Sequence, residues 1–76
     1  MKKTDFLELL KETMNREEDL KEEMLLEAIE EYDSLAALSL MAMYDELGVN
    51  VLPEDFENFK TVKDLVILAG GDVIDE

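Results

Sequence analysis

The strongest constraint on the fold is a run of good helix formers over residues 35–47, which ends at Gly48. A glycine directly after such a run is the usual C-terminal stop of a helix. The run is apolar on nearly all sides, whereas a surface helix of a small domain is normally apolar on one side only. The chain has 76 residues, which suffices for one small domain over residues 1–76 and leaves few elements to wrap a central helix.

Two packing arrangements are open for this helix. It is either buried on both faces, or it packs one face on the core and presents the other to water. In the second arrangement the solvent-facing side chains come from Leu35, Ala36, Leu38 or Ala42, beside acidic residues. Exposed apolar surface of this kind is typical of a docking site for a partner protein. We favour the second arrangement, because so short a chain has little else to cover a second face.

The helix is preceded by Asp33 and Ser34, and both residue types are favoured as N-caps. The first turn of a helix has unpaired backbone N–H groups and carries a partial positive charge. A phosphate ester on Ser34 would be stabilised there, as other anions are. Taken alone, the Asp-Ser dipeptide is most simply explained as a cap.

The N-terminal segment predicts an amphipathic first helix. Asp5 and Glu8 have the spacing of a capping box, and Thr4 is the other candidate cap. The helix is expected to end near Met14 or Asn15, where the helical spacing of apolar residues is lost. The apolar residues that establish this spacing are Phe6, Leu9, Leu10 and Met14.

Residues 16–32 give conflicting signals. Apolar residues recur at helical spacing, which favours a second helix. Seven of the eight residues from Arg16 to Glu23 are charged, and adjacent acidic pairs repel each other, which favours a loop. In either conformation, four apolar side chains are expected to reach the core: Leu20, Leu25, Leu26 and Ile29.

The remainder of the chain predicts an extended connector and two further helices. Val49 and Val51 are too few to form a sheet, and Pro53 is well placed as the first residue of a short helix that Phe56 and Phe59 anchor inward. Thr61 and Asp64 form a second capping-box pattern, which begins the last helix. Its apolar face comprises Val62, Leu65, Val66 and Ala69, and Gly70-Gly71 ends it before an acidic tail, residues 72–76, that is expected to fray.

Composition excludes several classes of function. The chain has no cysteine and no histidine, which excludes disulfides, thiolate chemistry, zinc fingers and imidazole catalysis. Its formal net charge of −14 disfavours nucleic acid and anionic membranes as partners and favours basic protein surfaces. No apolar run is long enough to span a membrane, and the N-terminus does not have the pattern of a signal peptide. A cytoplasmic location is therefore the default expectation. We also expect the protein to be a monomer.

The ordered set of these elements resembles the acyl carrier protein family. The resemblance covers nearly the whole chain. Within a short, acidic, all-helical chain it is far more specific than an Asp-Ser-Leu tripeptide alone. The segments that carry it are Asp33-Ser34-Leu35, the apolar helix that follows, Leu47-Gly48-Val49-Asn50-Val51, and Thr61-Val62-Lys63-Asp64-Leu65.

The resemblance implies an all-α four-helix bundle with three main helices, a short third helix, and a long loop between the first two. It implies that Ser34, flanked by Asp33 and Leu35, carries 4′-phosphopantetheine, which a phosphopantetheinyl transferase takes from coenzyme A. Acyl groups would be held as thioesters and passed between acyl-transferring or acyl-modifying enzymes with basic docking surfaces. The helix after Ser34 would be the recognition helix, with docking residues Leu35, Ala36, Leu38, Ser39, Ala42, Asp45 and Glu46. An acyl chain would enter a core lined by Tyr44, Leu47, Val51, Phe59, Val62, Leu65 and Val66.

Some features depart from the common family pattern. Many carriers have glycine shortly before Asp-Ser, where this chain has Glu31 and Tyr32. Fatty-acid carriers usually have acids early in the recognition helix, where this chain has Ala36 and Ser39. These departures indicate a specialised carrier for a dedicated lipid, polyketide, aminoacyl or sugar-modification pathway, or a peptidyl-type carrier.

The alternatives from other classes are an interaction module, a metal-binding protein and an enzyme. An acidic interaction module without the prosthetic group is the main alternative to a carrier. A dedicated calcium site is disfavoured because the Asp-x-Asp-x-Asp-Gly loop is missing, and any binding of divalent cations is expected to be loose, near Glu30, Glu31 or Asp45. An enzyme is disfavoured because Ser34 has no histidine to act as its base.

Overall fold

The computed structural model of this chain describes residues 1–71 and 73–74. These residues are mostly helical and form no strand, apart from an isolated antiparallel bridge between Leu25 and Thr61. The all-α class predicted from the sequence is therefore confirmed. In chain order the elements are α1 (Lys3–Thr13), a 3₁₀ turn (Leu26–Ala28), α2 (Ser34–Glu46), a 3₁₀ helix (Pro53–Asn58) and α3 (Val62–Ala69).

Helix α1 begins earlier than the sequence predicted. Its N-cap is Lys2, which makes no side-chain cap, and the Phe6 N–H donates to the Lys2 carbonyl at 3.0 Å. The prediction of a cap at Thr4 or Asp5 is therefore wrong; Asp5 lies inside the first turn, where its charge is still favourable to the helix dipole. The predicted end is confirmed, because Asn15 adopts a left-handed conformation with φ of 57° directly after the helix.

Residues 14–33 contain no α-helix, only the 3₁₀ turn, so the helix favoured by apolar spacing does not form. Their backbone bonds instead to the segment that leads into α3. The Leu26 N–H donates to the Lys60 carbonyl at 2.9 Å, and the Met24 carbonyl accepts from the Val62 N–H at 3.0 Å. The predicted burial of Leu20, Leu26 and Ile29 is confirmed, whereas Leu25 is 49% exposed and that prediction is wrong.

The core lies between one face of each α-helix. Tyr44 is fully buried at its centre, where its hydroxyl donates to the Leu65 carbonyl at 2.6 Å and its ring lies 6.0 Å from that of Phe6. Of the residues predicted to line the core, Leu47, Phe59 and Val66 are partly buried against it. The others in that set are buried: Tyr44, Val51, Val62 and Leu65.

The connection from α2 to α3 follows the sequence prediction. Gly48 has a φ of 82°, a conformation that glycine adopts without strain, and it ends α2. The chain then continues without regular secondary structure to Leu52, whose backbone is extended, and Pro53 is the first residue of the 3₁₀ helix. The rings of Phe56 and Phe59 pack edge to face with centroids 5.3 Å apart, and both are partly buried against the core.

The sequence predicted Asp64 as a capping residue of α3, and this is confirmed. The predicted fraying of the tail is wrong for the two tail residues that the structure describes, Val73 and Ile74. The Asp64 carboxylate accepts from the backbone N–H groups of Lys60, at 2.8 Å, and Thr61, at 3.1 Å. Beyond Gly70, Val73 and Ile74 are buried, and the N-terminal ammonium group of Met1 donates to the Val73 carbonyl at 2.6 Å. The other residues of the predicted frayed tail, 72, 75 and 76, lie outside the described part of the chain.

We expect the Asp64 cap to make stability depend on pH. The N–H groups of Lys60 and Thr61 hold the pKa of Asp64 below its ordinary value of 3.8, so the folded state favours the ionised form. A lowered pKa contributes stability that is complete well above pH 3.8 and is lost as the pH falls through the lower, folded-state pKa. Asp64→Asn should therefore lower the free energy of unfolding at neutral pH and have progressively less effect below pH 3.8, as measured by urea unfolding at each pH.

The matched control is Asp45→Asn, in the last turn of α2, where an acid is unfavourable to the helix dipole. This variant should be no less stable than the parent at neutral pH. An Asp64→Asn cost that stays constant from neutral pH to below pH 3.8 would contradict the pKa assignment.

Candidate functional site

The structure separates the roles of Asp33 and Ser34. Asp33 is the N-cap of α2, with extended backbone, and its carboxylate accepts from the Ala36 N–H at 2.9 Å. Ser34 is the first helical residue and is exposed. Since the cap is supplied by Asp33, the Ser34 hydroxyl is not needed to begin the helix. The first turn of α2 itself contains no acidic residue, and the Asp33 carboxylate at the N-cap partly offsets the partial positive charge of the helix end.

An open depression of about 340 Å³ lies beside Ser34, between the end of α1 and the start of α2. Its polar wall includes Asn15, Glu31 and Ser39, and Met14 and Ala36 connect it to the buried core. The surface next to Ser34 is therefore mixed in character. It offers carboxylate, amide and hydroxyl groups together with apolar side chains.

Arg16 secures the segment that precedes Ser34. This side chain is the only arginine of the chain and is 10% exposed. Its guanidinium group donates to the Glu31 carboxylate at 2.8 Å and to the Glu18 carbonyl at 3.0 Å. A backbone N–H and Arg16 together hold the pKa of Glu31 below its ordinary value. Sequence reasoning missed Arg16, although a lone guanidinium among so many acids was the available signal.

The exposed side of α2 forms a continuous stripe along the helix. Leu35 is 74% exposed and Leu38 is 62% exposed, although both are large apolar residues. We call this stripe the outer face of α2. It comprises Leu35, Leu38, Ser39, Ala42, Asp45 and Glu46, all of them exposed.

The prediction that Ala36 faces the solvent is wrong, because Ala36 is only 6% exposed. It lies one turn before Leu40 on the face that packs into the core, together with Met43 and Tyr44. Helix α2 is therefore buried on one face only, which is the arrangement that the short chain favoured. Because its solvent face is so apolar, amphipathic patterning alone could not fix the rotation of this helix.

The segment of sequence that contains the outer face carries only negative charge. Between Lys21 and Lys60 the sequence contains no basic residue. The acids of this interval are Glu22, Glu23, Glu27, Glu30, Glu31, Asp33, Asp45, Glu46, Glu54, Asp55 and Glu57. An apolar stripe within an acidic surface is complementary to an apolar patch within a basic surface.

The buried hydroxyl of Tyr32 is the second feature that the sequence did not reveal, although Tyr32 itself stood out as a departure from the family pattern. Its ring packs against the core, and its hydroxyl is the one buried side-chain oxygen or nitrogen in the described part of the chain without a hydrogen-bond partner. Burial raises the pKa of Tyr32, so the hydroxyl remains protonated at neutral pH. No sequence pattern reports whether a particular hydroxyl finds a partner.

The polar groups around Ser34 are its own hydroxyl and side chains of the neighbouring depression, among them Asn15, Glu31 and Ser39. Among the residues that the structure describes, no group of three or more carboxylates comes together in a way that could hold a metal ion. No helix in this part of the chain is long and apolar enough to cross a membrane. Comparisons with models of known protein families, with curated proteins and with solved structures find no match to this chain.

Proposed function

We propose that this protein is a carrier that holds acyl or related intermediates as thioesters on a 4′-phosphopantetheine group attached to Ser34. The observation that carries the proposal is the exposed hydroxyl of Ser34 at the first residue of α2, next to a cap that Asp33 supplies. In the proposed four-helix bundle, Pro53–Asn58 would be the short third helix and residues 14–33 the long loop.

The residues around Ser34 fit such a group. A phosphodiester on Ser34 would lie at the start of a helix whose first turn carries no acid, where backbone N–H groups favour an anion. The nearest carboxylate in sequence, that of Asp33, already accepts from the Ala36 N–H, which reduces its repulsion of a phosphate. When attached, phosphopantetheine supplies the thiol that this chain, which has no cysteine, lacks.

Attachment is a phosphoryl transfer in which this chain is the acceptor. The Ser34 oxygen would form a bond to the phosphorus that bears the pantetheine arm of coenzyme A, and the bond from that phosphorus to 3′,5′-ADP would break. The proton of the Ser34 hydroxyl would pass to a base of the transferase. The outer face of α2 would be the surface on which the transferase and later enzymes dock.

The charge of the chain supports weak, rapid docking to basic enzymes. Electrostatic attraction raises association rates more than it raises affinity, and a shuttle needs to leave each enzyme after a reaction. The apolar start of the outer face favours enzymes of a specialised pathway as partners. The proposed carrier is a monomer and acts in the cytoplasm. A peptidyl or aminoacyl carrier is a variant of the same proposal. An acidic interaction module without the prosthetic group would use the same face.

The test is loading with coenzyme A and a phosphopantetheinyl transferase of broad specificity. We expect the intact mass to rise by one phosphopantetheine group, and peptide mapping to place the group on Ser34. An unchanged mass, with a known carrier loaded in the same mixture, would overturn the carrier proposal and favour the interaction module.

Docking should depend on the two exposed leucines of the outer face. We expect Leu35→Ala and Leu38→Ala each to lower kcat/KM for loading by about tenfold. Apolar side chains that become buried when two proteins dock carry most of the binding energy of an interface. Both side chains are exposed in the free chain, so the melting temperature should change little. The measurement is the initial loading rate at limiting carrier concentration.

The matched control is Ile67→Ala on α3, since Ile67 is 63% exposed and Leu38 is 62% exposed. The control removes similar exposed apolar surface away from α2 and should load at the parental rate. Equal losses for Leu38→Ala and Ile67→Ala would show that general surface hydrophobicity, not the outer face, governs docking.

A further inference from the structure

Tyr32 connects the surface beside Ser34 with the interior of the domain. It lies two residues before Ser34, and its backbone N–H donates to the Ile29 carbonyl at 3.1 Å. The residues on either side of it, Glu31 and Asp33, both line the depression next to Ser34. The Tyr32 ring packs against the buried core instead. One residue therefore joins the rim of this depression to the core.

The two tyrosines of the chain differ in how their hydroxyls are satisfied. The Tyr44 hydroxyl donates to the Leu65 carbonyl at 2.6 Å, whereas the Tyr32 hydroxyl is buried without a partner. Buried polar groups in folded proteins are nearly always hydrogen-bonded, because leaving one unpaired costs stability. The Tyr32 hydroxyl thus has both a donor and an acceptor free within the domain.

We propose that the Tyr32 hydroxyl is a specificity-determining group that hydrogen-bonds an oxygen atom of the carried chain, so that this carrier prefers oxoacyl or hydroxyacyl cargo to saturated acyl cargo. The inference rests on the proposed function of Ser34. A saturated chain beside Tyr32 leaves the hydroxyl unpaired. A carbonyl oxygen in the chain accepts its hydrogen bond, and a hydroxyl group both accepts and donates. Sites that hydrogen-bond a substrate reject an analogue that lacks the polar group.

The surroundings of Tyr32 support this assignment. The depression beside Ser34 is bordered by Met14 and Ala36, both members of the buried core, so a route from the attachment point to the interior begins there. Because the Tyr32 ring packs against the buried core, a polar atom bound by its hydroxyl would lie beside that core.

The experiment compares cargo of equal length on the intact chain. The parent and Tyr32→Phe are loaded on Ser34 from coenzyme A analogues that carry octanoyl, 3-oxooctanoyl or 5-oxooctanoyl chains through an amide, which survives heating. Loading is first verified by intact mass. We expect at least one oxo chain to raise the melting temperature of the parent about 4–8 °C above that of the octanoyl form, the shift that one added hydrogen bond gives in a domain of this size.

In Tyr32→Phe the oxo and saturated forms should melt together, because phenylalanine keeps the ring and removes only the hydroxyl. Tyr44→Phe is the matched control; it loses the bond to Leu65, so it should melt lower in every form while keeping the difference between cargoes. With carbon-13 at the tyrosine Cζ, the Tyr32 resonance should also move on loading with the oxo chain and not with the octanoyl chain.

The outcomes separate this inference from the proposed function. Absence of any mass gain overturns the carrier itself, and the cargo preference with it. Normal loading with equal melting temperatures for all three cargoes overturns the role of Tyr32 alone. A difference between cargoes that persists in Tyr32→Phe overturns it as well, because the discrimination would then come from another group.

Discussion

We expect Ser34→Ala to abolish attachment of phosphopantetheine while leaving the melting temperature nearly unchanged. Attachment is lost completely because the substitution removes the oxygen that must bond to phosphorus. Stability is kept because Asp33, not Ser34, provides the side-chain cap of α2, through the Ala36 N–H at 2.9 Å. Alanine is also favourable within a helix. Intact mass after incubation with coenzyme A and the transferase measures the first effect, and thermal unfolding followed by circular dichroism measures the second.

The matched control for this prediction is Ser39→Ala. Ser39 is exposed on the same helix and borders the same depression. It lies in the second turn, where the backbone N–H groups are already paired within the helix. Ser39→Ala should therefore gain the full mass of the prosthetic group. A mass gain in Ser34→Ala would place the attachment point elsewhere in the chain and contradict the assignment of Ser34.

The features that sequence predicted well depend on neighbouring residues. Gly48 ends α2 because its left-handed conformation suits glycine, and Asp64 caps α3 through N–H groups three and four residues earlier. The position of Ser34 in the first turn of α2 follows from Asp33 in the same way. Each of these features is determined by a few neighbouring residues, so the local sequence is sufficient to predict it.

The features that sequence predicted poorly depend on distant contacts. Residues 14–33 have apolar residues at helical spacing, yet their backbone pairs with the segment before α3, as in the bond from the Leu26 N–H to the Lys60 carbonyl. The burial of Val73 accompanies a bond to the N-terminus, from the opposite end of the chain. The start of α1 was misplaced for a different reason. Capping-box spacing at Asp5 is a preference, and the helix simply extends past it to Lys3.

The candidate site divides in the same way. The exposed serine at the start of α2 and the exposed leucines could be identified as candidates from the sequence, because helix ends and an excess of apolar residues can be recognised there. The rotation of α2 that buries Ala36 could not, since both faces of this helix are apolar. Arg16 bonds to Glu31 across fifteen residues of irregular backbone. The Tyr32 hydroxyl is unpaired because no polar group of a residue packed around it lies within hydrogen-bonding distance. Neither has a pattern in the sequence.

The rotation of α2 leads to the second large effect, which compares two leucines of the same helix. Leu40→Ala should lower the free energy of unfolding by about 2–5 kcal/mol, because Leu40 is fully buried in the core and its truncation leaves a cavity. That is a large part of the total for so small a domain, which is on the order of 5–10 kcal/mol. Urea unfolding at a fixed temperature measures the loss, provided that the slope of free energy against urea is unchanged.

Leu38→Ala is the matched partner of this variant. Both variants replace leucine with alanine in the same helix, so the change in helix propensity is the same. They differ in position, because Leu40 faces the core and Leu38 faces the solvent. Leu38 is 62% exposed, and its truncation should change stability by no more than about 0.5 kcal/mol. Similar costs for the two variants would mean that α2 is buried on both faces, which would also remove its outer face as a docking surface. A stable Leu38→Ala that loads slowly, beside an unstable Leu40→Ala, would instead assign one face of α2 to folding and the other to partners.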